Sequence, residues 1–227
     1  MSKKKSSLLD EYATPITRIA NIERNKTIMA SIICIALIAA LIFLIYVIVP
    51  KKFDVIGNDG SVIGNYVGSG FKSMDGKGTV TLSDGTKIAG MFVDGEVDPE
   101  LKYTVSYANC GTYVGKIDDE FHPHGAGVYT NTDGVKIKSE SWTWKKDNGA
   151  STGYSGMMNG GLQEGFGRNK NTLGWFESEY LEGKYSGNAT FYDNNGTIRI
   201  DMKCAQGAAV GNATAKYLFD DSLPEIV

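Results

Sequence analysis

The sequence predicts a mostly β protein: one transmembrane α-helix, then an elongated, twisted, single-layer antiparallel β-meander of about seven hairpins. Three observations carry this. Residues 28–49, IMASIICIALIAALIFLIYVIV, contain no charge, Gly or Pro. A Gly-rich phrase recurs through the remainder of the chain. Around each copy, short runs of β-branched and aromatic residues are bounded by Gly, Asn and Asp, the pattern of strands joined by tight turns.

The apolar run comes first. At about 1.5 Å per residue its 22 residues extend roughly 33 Å as a helix, enough to cross a hydrocarbon core of about 30 Å. A signal peptide has an apolar core of about 7–15 residues and a small-x-small cleavage site. This run is longer, Val47-Ile48-Val49-Pro50-Lys51-Lys52 offers no such site, and Cys34 lacks the small residues of a lipoprotein site before it. An uncleaved anchor over 27–49 is expected. The head, 1–26, carries Lys3, Lys4, Lys5, Arg18, Arg24 and Lys26, whereas Lys51 and Lys52 are the only basic residues beyond the span before Lys72. That bias predicts a cytoplasmic head and an extracytoplasmic body. Within the head, Leu8, Tyr12, Ile16, Ile19 and Ile22 or Glu23 fall at helical spacing. Pro15 is expected to interrupt that helix, or to begin a second one with Thr14 as its cap. Two readings of the head follow: a disordered basic tail, or an amphipathic segment against the inner leaflet or a partner.

After a short linker, 50–56, composition excludes several functions. Residues 53–227 hold 15 Lys and Arg against 23 Asp and Glu, a net charge of −8. Such a body does not neutralise phosphates, so no nucleic-acid partner is expected, nor flat docking on anionic lipid. Cys110 and Cys204 lie 94 residues apart, several units of a regular array, and are expected as free buried thiols.

The array is expected over 57–219. Gly161-Leu-Gln-Glu-Gly165-Phe-Gly167, Gly183-Lys-Tyr-Ser-Gly187-Asn-Ala189 and Gly207-Ala-Ala-Val-Gly211-Asn-Ala213 share the form G-x-x-x-G-x-(G/A). Gly76-Lys-Gly78 and Gly125-Ala-Gly127 keep its end, each followed at one offset by Asp-Gly, at Asp84-Gly85 and Asp133-Gly134. The copies start at 76, 125, 165, 187 and 211, and the two longer gaps have room for worn copies near Gly95–Pro99 and Trp142–Ser151. Partner strands precede several copies, at Tyr113–Gly115, Tyr154–Gly156, Trp175–Tyr180 and Ile198–Met202, which makes each unit a hairpin of about 20–24 residues. The charged, Pro-containing end, 220–227, is expected to cap the array.

Tyr113-x-Gly115…Gly125-x-Gly127-x-Tyr129…Asp133-Gly134 and Tyr154-x-Gly156…Gly161-xxx-Gly165-x-Gly167 resemble the MORN (membrane occupation and recognition nexus) repeat. The resemblance covers roughly 57–219. It departs at Ala189 and Ala213, which replace the last Gly, and at the Trp usual after the first Gly, which is mostly missing. It implies an elongated sheet used for protein–protein contact, scaffolding or membrane-proximal positioning. Lipid binding, proposed for some members, is the weaker inheritance for so acidic a body.

No motif for chemistry stands out. Asp118-Asp-Glu-Phe-His122-Pro-His124 is the densest polar cluster, yet it falls where a hairpin turn belongs, and His122 and His124 lack a placed third metal ligand. Glu177 and Glu179 share a strand face, which could suit a glycosidase, but alternation with Trp175, Phe176 and Tyr180 reads them as the wet face. No nucleophile elbow or phosphate loop is present, and the sequons at Asn188, Asn195 and Asn212 arise largely from the repeat phrase. No enzyme activity, metal or cofactor is therefore expected. The aromatics are the candidate site: Tyr129, Trp142, Trp144, Trp175 and Tyr180, read either as the sheet's own apolar face folded over by curvature or as an exposed recognition strip. The expected function is a single-pass membrane-anchored scaffold or binding module. It would meet a membrane or surface-associated protein, hold the bilayer through 28–49, and possess open sheet ends able to form homo-oligomers by strand addition. The alternatives are an organiser of proteins on the cytoplasmic side, and a glycan- or wall-associated binding protein or enzyme.

Overall fold

The computed structural model describes residues 4–70 and 73–218, with side chains of the helix described from Ala20 onward except Asn21 and Val47. The chain forms two compact units, 1–49 and 50–227. The first is a single helix, α1 (Lys4–Ile48). It runs through Pro15 rather than breaking there; a proline inside a helix removes one backbone bond and costs roughly 3 kcal/mol, which the long flanking ladder offsets. The expected face of Leu8, Tyr12, Ile16 and Ile19 lies outside the described side chains. Within α1, Ile22–Tyr46 is long and apolar enough to cross a membrane, with a mean hydropathy of 3.1 and none of that stretch buried; a signal sequence would pass the same test. Two hydroxyls of this stretch turn back on the helix: Thr27 Oγ1 donates to the Glu23 carbonyl at 3.0 Å and Ser31 Oγ to the Thr27 carbonyl at 2.9 Å.

The second unit is one antiparallel sheet. Its first strands are β1 (Lys51–Ile56), β2 (Val62–Gly68), β3 (Gly76–Leu82), β4 (Lys87–Val93), β5 (Glu96–Val97), β6 (Tyr103–Ser106) and β7 (Thr112–Ile117). The others are β8 (Pro123–Thr130), β9 (Lys136–Lys145), β10 (Gly153–Asn159), β11 (Leu162–Asn171), β12 (Gly174–Leu181), β13 (Lys184–Asp193), β14 (Ile198–Ala205) and β15 (Ala208–Tyr217). Spatial order follows chain order, as a meander requires; β5 alone stands off the path, paired to β4. The segment expected as a linker is instead β1, because Phe53 and Val55 alternate inward against β2. The worn copy at Gly95–Pro99 is only the short β5, and the one near Trp142–Ser151 is the end of the long β9 and its loop. The expected cap, 220–227, lies outside the described residues.

The repeat phrase has a physical meaning. Gly125 and Gly165, each the start of a copy, adopt φ of 65° and 73°, a left-handed conformation that a side chain resists, and Gly76, Gly187 and Gly211 do the same. A register shift lies beside the phrase in several hairpins, at Gly115/Ile117, Gly156/Met158, Ser178/Tyr180 and Asp201/Lys203. Such bulges bend the strand and increase its twist. Upstream, a tyrosine lies across a cross-strand glycine pair: Tyr66 over Gly68 and Gly78, Tyr113 over Gly115 and Gly127, Tyr154 over Gly156 and Gly167. Each hydroxyl donates to the carbonyl three residues on, at Ser69 (2.7 Å), Lys116 (2.8 Å) and Met157 (2.8 Å). The two later copies hold Phe176 and Ile200 in the tyrosine's place, and there the last Gly has become Ala189 and Ala213. A methyl is tolerated where no phenol must lie across it.

Gly127→Ala should therefore be destabilising. The new methyl would overlap the ring of the fully buried Tyr113, and overpacking of this kind costs about 1–3 kcal/mol. A lowered denaturation midpoint is expected, with Ala213→Gly as a control that shifts it by less than about 1 kcal/mol.

A lone sheet leaves one face without a second layer. Here the bending lets the sheet supply that layer itself. Tyr107, after β6, stacks on Phe166 of β11 at 4.0 Å and 12°. Asn188 of β13 donates from Nδ2 to the Asn109 carbonyl at 3.1 Å, and Lys203 of β14 reaches Asp133 at 2.7 Å. The enclosed core is rich in aromatics: Tyr66, Phe92, Tyr103, Tyr113, Tyr129 and Trp142 are all at most 1 % exposed.

Candidate functional site

The curl is pinned at Glu179. This side chain, expected on the wet face, is fully buried. Its Oε1 accepts from Gly111 N, Tyr129 Oη and Thr132 N, each at 2.9 Å. Its Oε2 accepts from Asn188 N at 2.8 Å and from the Thr132 hydroxyl. The turns after β6 and β8 are thus tied to β12 and β13 by one carboxylate. Burial, with the Glu179 charge adding, pushes both the Tyr129 phenol and the neighbouring Cys110 thiol well above their usual ranges. Cys110 and Cys204 are free thiols, as the spacing suggests, but of the two expected to be buried only Cys204 is so, and Cys110 is half-buried.

The five aromatics of the candidate strip do not share one exposed surface. Tyr129 and Trp142 are in the core, Trp142 donating from Nε1 to the Gly127 carbonyl at 3.1 Å. Tyr180 is 3 % exposed in a separate aromatic group with Tyr154 (5.2 Å) and Tyr185 (5.1 Å). Trp142 and Trp144 do share a face, but the curl has covered it. Only Trp144 and Trp175 line open space, in two adjoining chambers.

The outer chamber, about 710 Å³, lies on the inward face of β11–β13. Register explains its walls. Lys170 pairs with Trp175 and Trp175 with Tyr192; one step along, Arg168 pairs with Glu177 and Glu177 with Thr190. Residues opposite one another across strands stand on the same face, so these form two parallel rows. Trp175 and Tyr192 stack at 5.2 Å and 17°. Arg168 Nη2 holds Glu177 Oε1 in an ion pair. Beyond the cleft, Asp201 takes Arg199 Nε at 2.9 Å and the Thr190 hydroxyl at 2.8 Å. Ser83 and Asp84 from the turn after β3, and Asp147 from the loop after β9, close the opposite side. Burial raises the Tyr192 phenol, and the Glu177 charge adds to the shift.

The inner chamber, about 340 Å³, shares Asp84, Asp147, Ser155 and Arg168 with the outer one. His122 stacks on Trp144 at 4.3 Å and 6°, with Nδ1 at 3.7 Å from Asp118 and 3.6 Å from Glu120. Asp118 shapes this turn by accepting from Glu120 N (3.0 Å) and His122 N (2.8 Å), and Phe121 is held at φ 68°. His124 is exposed while His122 is packed, and no metal-competent group of three ligands occurs among the described residues. A third groove, about 870 Å³, runs over β1 with Asp54, Asp59, Glu96, Asp119 and Glu120 on its walls. Its charged groups are all acceptors, whereas the joined chambers offer donors and acceptors together.

Sequence reasoning missed Arg168, Lys170, Glu177 as a cleft residue, and Tyr192. Their alternation on neighbouring strands was readable; the turn at Ser83 and Asp84 that faces them was not. No protein-family model matches this sequence, and no curated protein matches it.

Proposed function

We propose that this chain is a single-pass membrane-anchored, non-enzymatic recognition module whose repeats are MORN-like. The apolar helix holds it in the bilayer and the inward cleft of the curled sheet meets a partner outside the cytoplasm. The observation that carries this is the pairing of a 25-residue apolar stretch with a pre-formed cleft of about 710 Å³, within the roughly 300–1,000 Å³ range of ligand sites. The basic head supports the orientation. The repeat phrase and the recurring tyrosine over paired glycines support the MORN likeness. Trp144 and Trp175 keep the aromatic character of the expected strip, now at the cleft alone.

Orientation is tested with an epitope tag placed after Val227. Antibody should label intact cells, and the protein should stay in the membrane pellet at alkaline pH. Labelling only after permeabilisation would place the cleft in the cytoplasm and favour an organiser of cytoplasmic proteins.

A further inference from the structure

We propose that the two joined chambers bind a neutral oligosaccharide, whether carried on a surface protein or belonging to a free polymer. This rests on the cleft being the recognition surface. A sugar ring presents two kinds of surface: hydroxyls that each donate and accept, and an apolar C–H face. The outer chamber matches both. Asp84, Asp147 and Glu177 accept, Arg168 and Lys170 donate, and Ser83, Ser155 and Asn194 do either. Trp175 and Tyr192 supply the apolar platform beside them.

Four buried polar atoms lack a hydrogen-bond partner among the described residues, Tyr107 Oη, His122 Nδ1, Arg168 Nε and Tyr180 Oη, and the first three belong to residues of the inner chamber. Arg168 Nε and the Tyr107 hydroxyl have neither water access nor a hydrogen bond, and Tyr107 is only 7 % exposed. Buried donors are ordinarily satisfied, and both of these residues line the inner chamber. An acceptor-bearing ligand reaching past Arg168 would satisfy such groups after small side-chain shifts. Three carboxylates against two cations disfavour a polyanion in the outer chamber. A peptide bound as an added strand needs an open ladder edge, yet β11, β12 and β13 each have neighbours on both sides.

The test uses the full-length protein in a detergent without a sugar headgroup. Tetrasaccharides of glucose, N-acetylglucosamine, mannose and galactose are titrated while tryptophan fluorescence is followed, with a tetragalacturonate as the charged comparison. At least one neutral probe should saturate with a Kd below about 1 mM. Trp175→Ala should weaken it about ten-fold or more and Glu177→Gln about five-fold, with thermal midpoints unchanged. The proposal is overturned by no saturation with any neutral probe up to about 10 mM, by tighter binding of the uronate, or by wild-type binding in Trp175→Ala. If no sugar binds but a cell-surface partner is still lost in Trp175→Ala, the glycan fails and the recognition surface stands. If that partner is also unaffected, both fail.

Discussion

Glu179→Ala is expected to lower the stability of the sheet by about 4–5 kcal/mol. An unsatisfied buried donor costs about 1–3 kcal/mol, and this substitution strands Tyr129 Oη and both donors of Thr132. It also leaves Gly111 N and Asn188 N with only their second acceptors, Tyr129 Oη at 3.0 Å and Thr132 Oγ1 at 3.2 Å. These costs do not add fully, because the two turns can relax and admit water. Glu179→Gln keeps the shape but turns an amide NH₂ toward groups that themselves donate. It should cost about 2–3 kcal/mol. The control is Glu177→Gln, on the same strand and face but beside the half-exposed Arg168, expected within about 1 kcal/mol of wild type. Denaturant unfolding of the detergent-solubilised full-length protein checks all three. A Glu179→Ala midpoint equal to that of Glu177→Gln would mean that the curl does not depend on this carboxylate.

Trp142→Ala should cost about 3–5 kcal/mol, the usual range for truncating a large buried aromatic. Trp142 is fully buried, packs edge-on to Tyr113 at 6.2 Å, and satisfies the Gly127 carbonyl. Truncation leaves a cavity and an orphaned acceptor together. Trp175→Ala, in the open cleft, should change stability by less than about 1 kcal/mol. The contrast matters for binding studies. Loss of a partner on truncating Trp142 would report unfolding, whereas loss on truncating Trp175 reports the surface.

Local chemistry made much of this fold readable. The apolar run needs only length and composition. The strands need only alternation between glycine-bearing turns, and the copies at Gly125 and Gly165 mark where the backbone turns left-handed. The curl was not readable in the same way. It accumulates from bulges, each a small bend, and its result is contacts between residues 47–81 positions apart, such as Thr132 with Glu179 and Asn109 with Thr190. Alternation correctly put Trp142 and Trp144 on one face, and the reading of that face as one folded over by curvature holds for Tyr129 and Trp142, but which distant residues would close over it was not readable. Glu179 shows the limit most sharply. Beside Tyr180 a carboxylate reads as the wet side of a strand, and only the arrival of two distant turns makes it a fully buried acceptor of five hydrogen bonds. The cleft has the same origin. Arg168, Glu177 and Trp175 stand on neighbouring strands, but they line a chamber only because the turn at Asp84 curls over to face them.

The most direct measurement is site-specific photo-crosslinking in intact cells from position 173, in the exposed turn whose carbonyl accepts from the cleft-lining Asn194. The wild-type background should give a discrete crosslinked species. A background carrying Arg168→Ala and Trp175→Ala, inserted at equal amount and with an unchanged melting midpoint, should lose about nine-tenths of it. An equal yield in the two backgrounds would contradict recognition through the cleft.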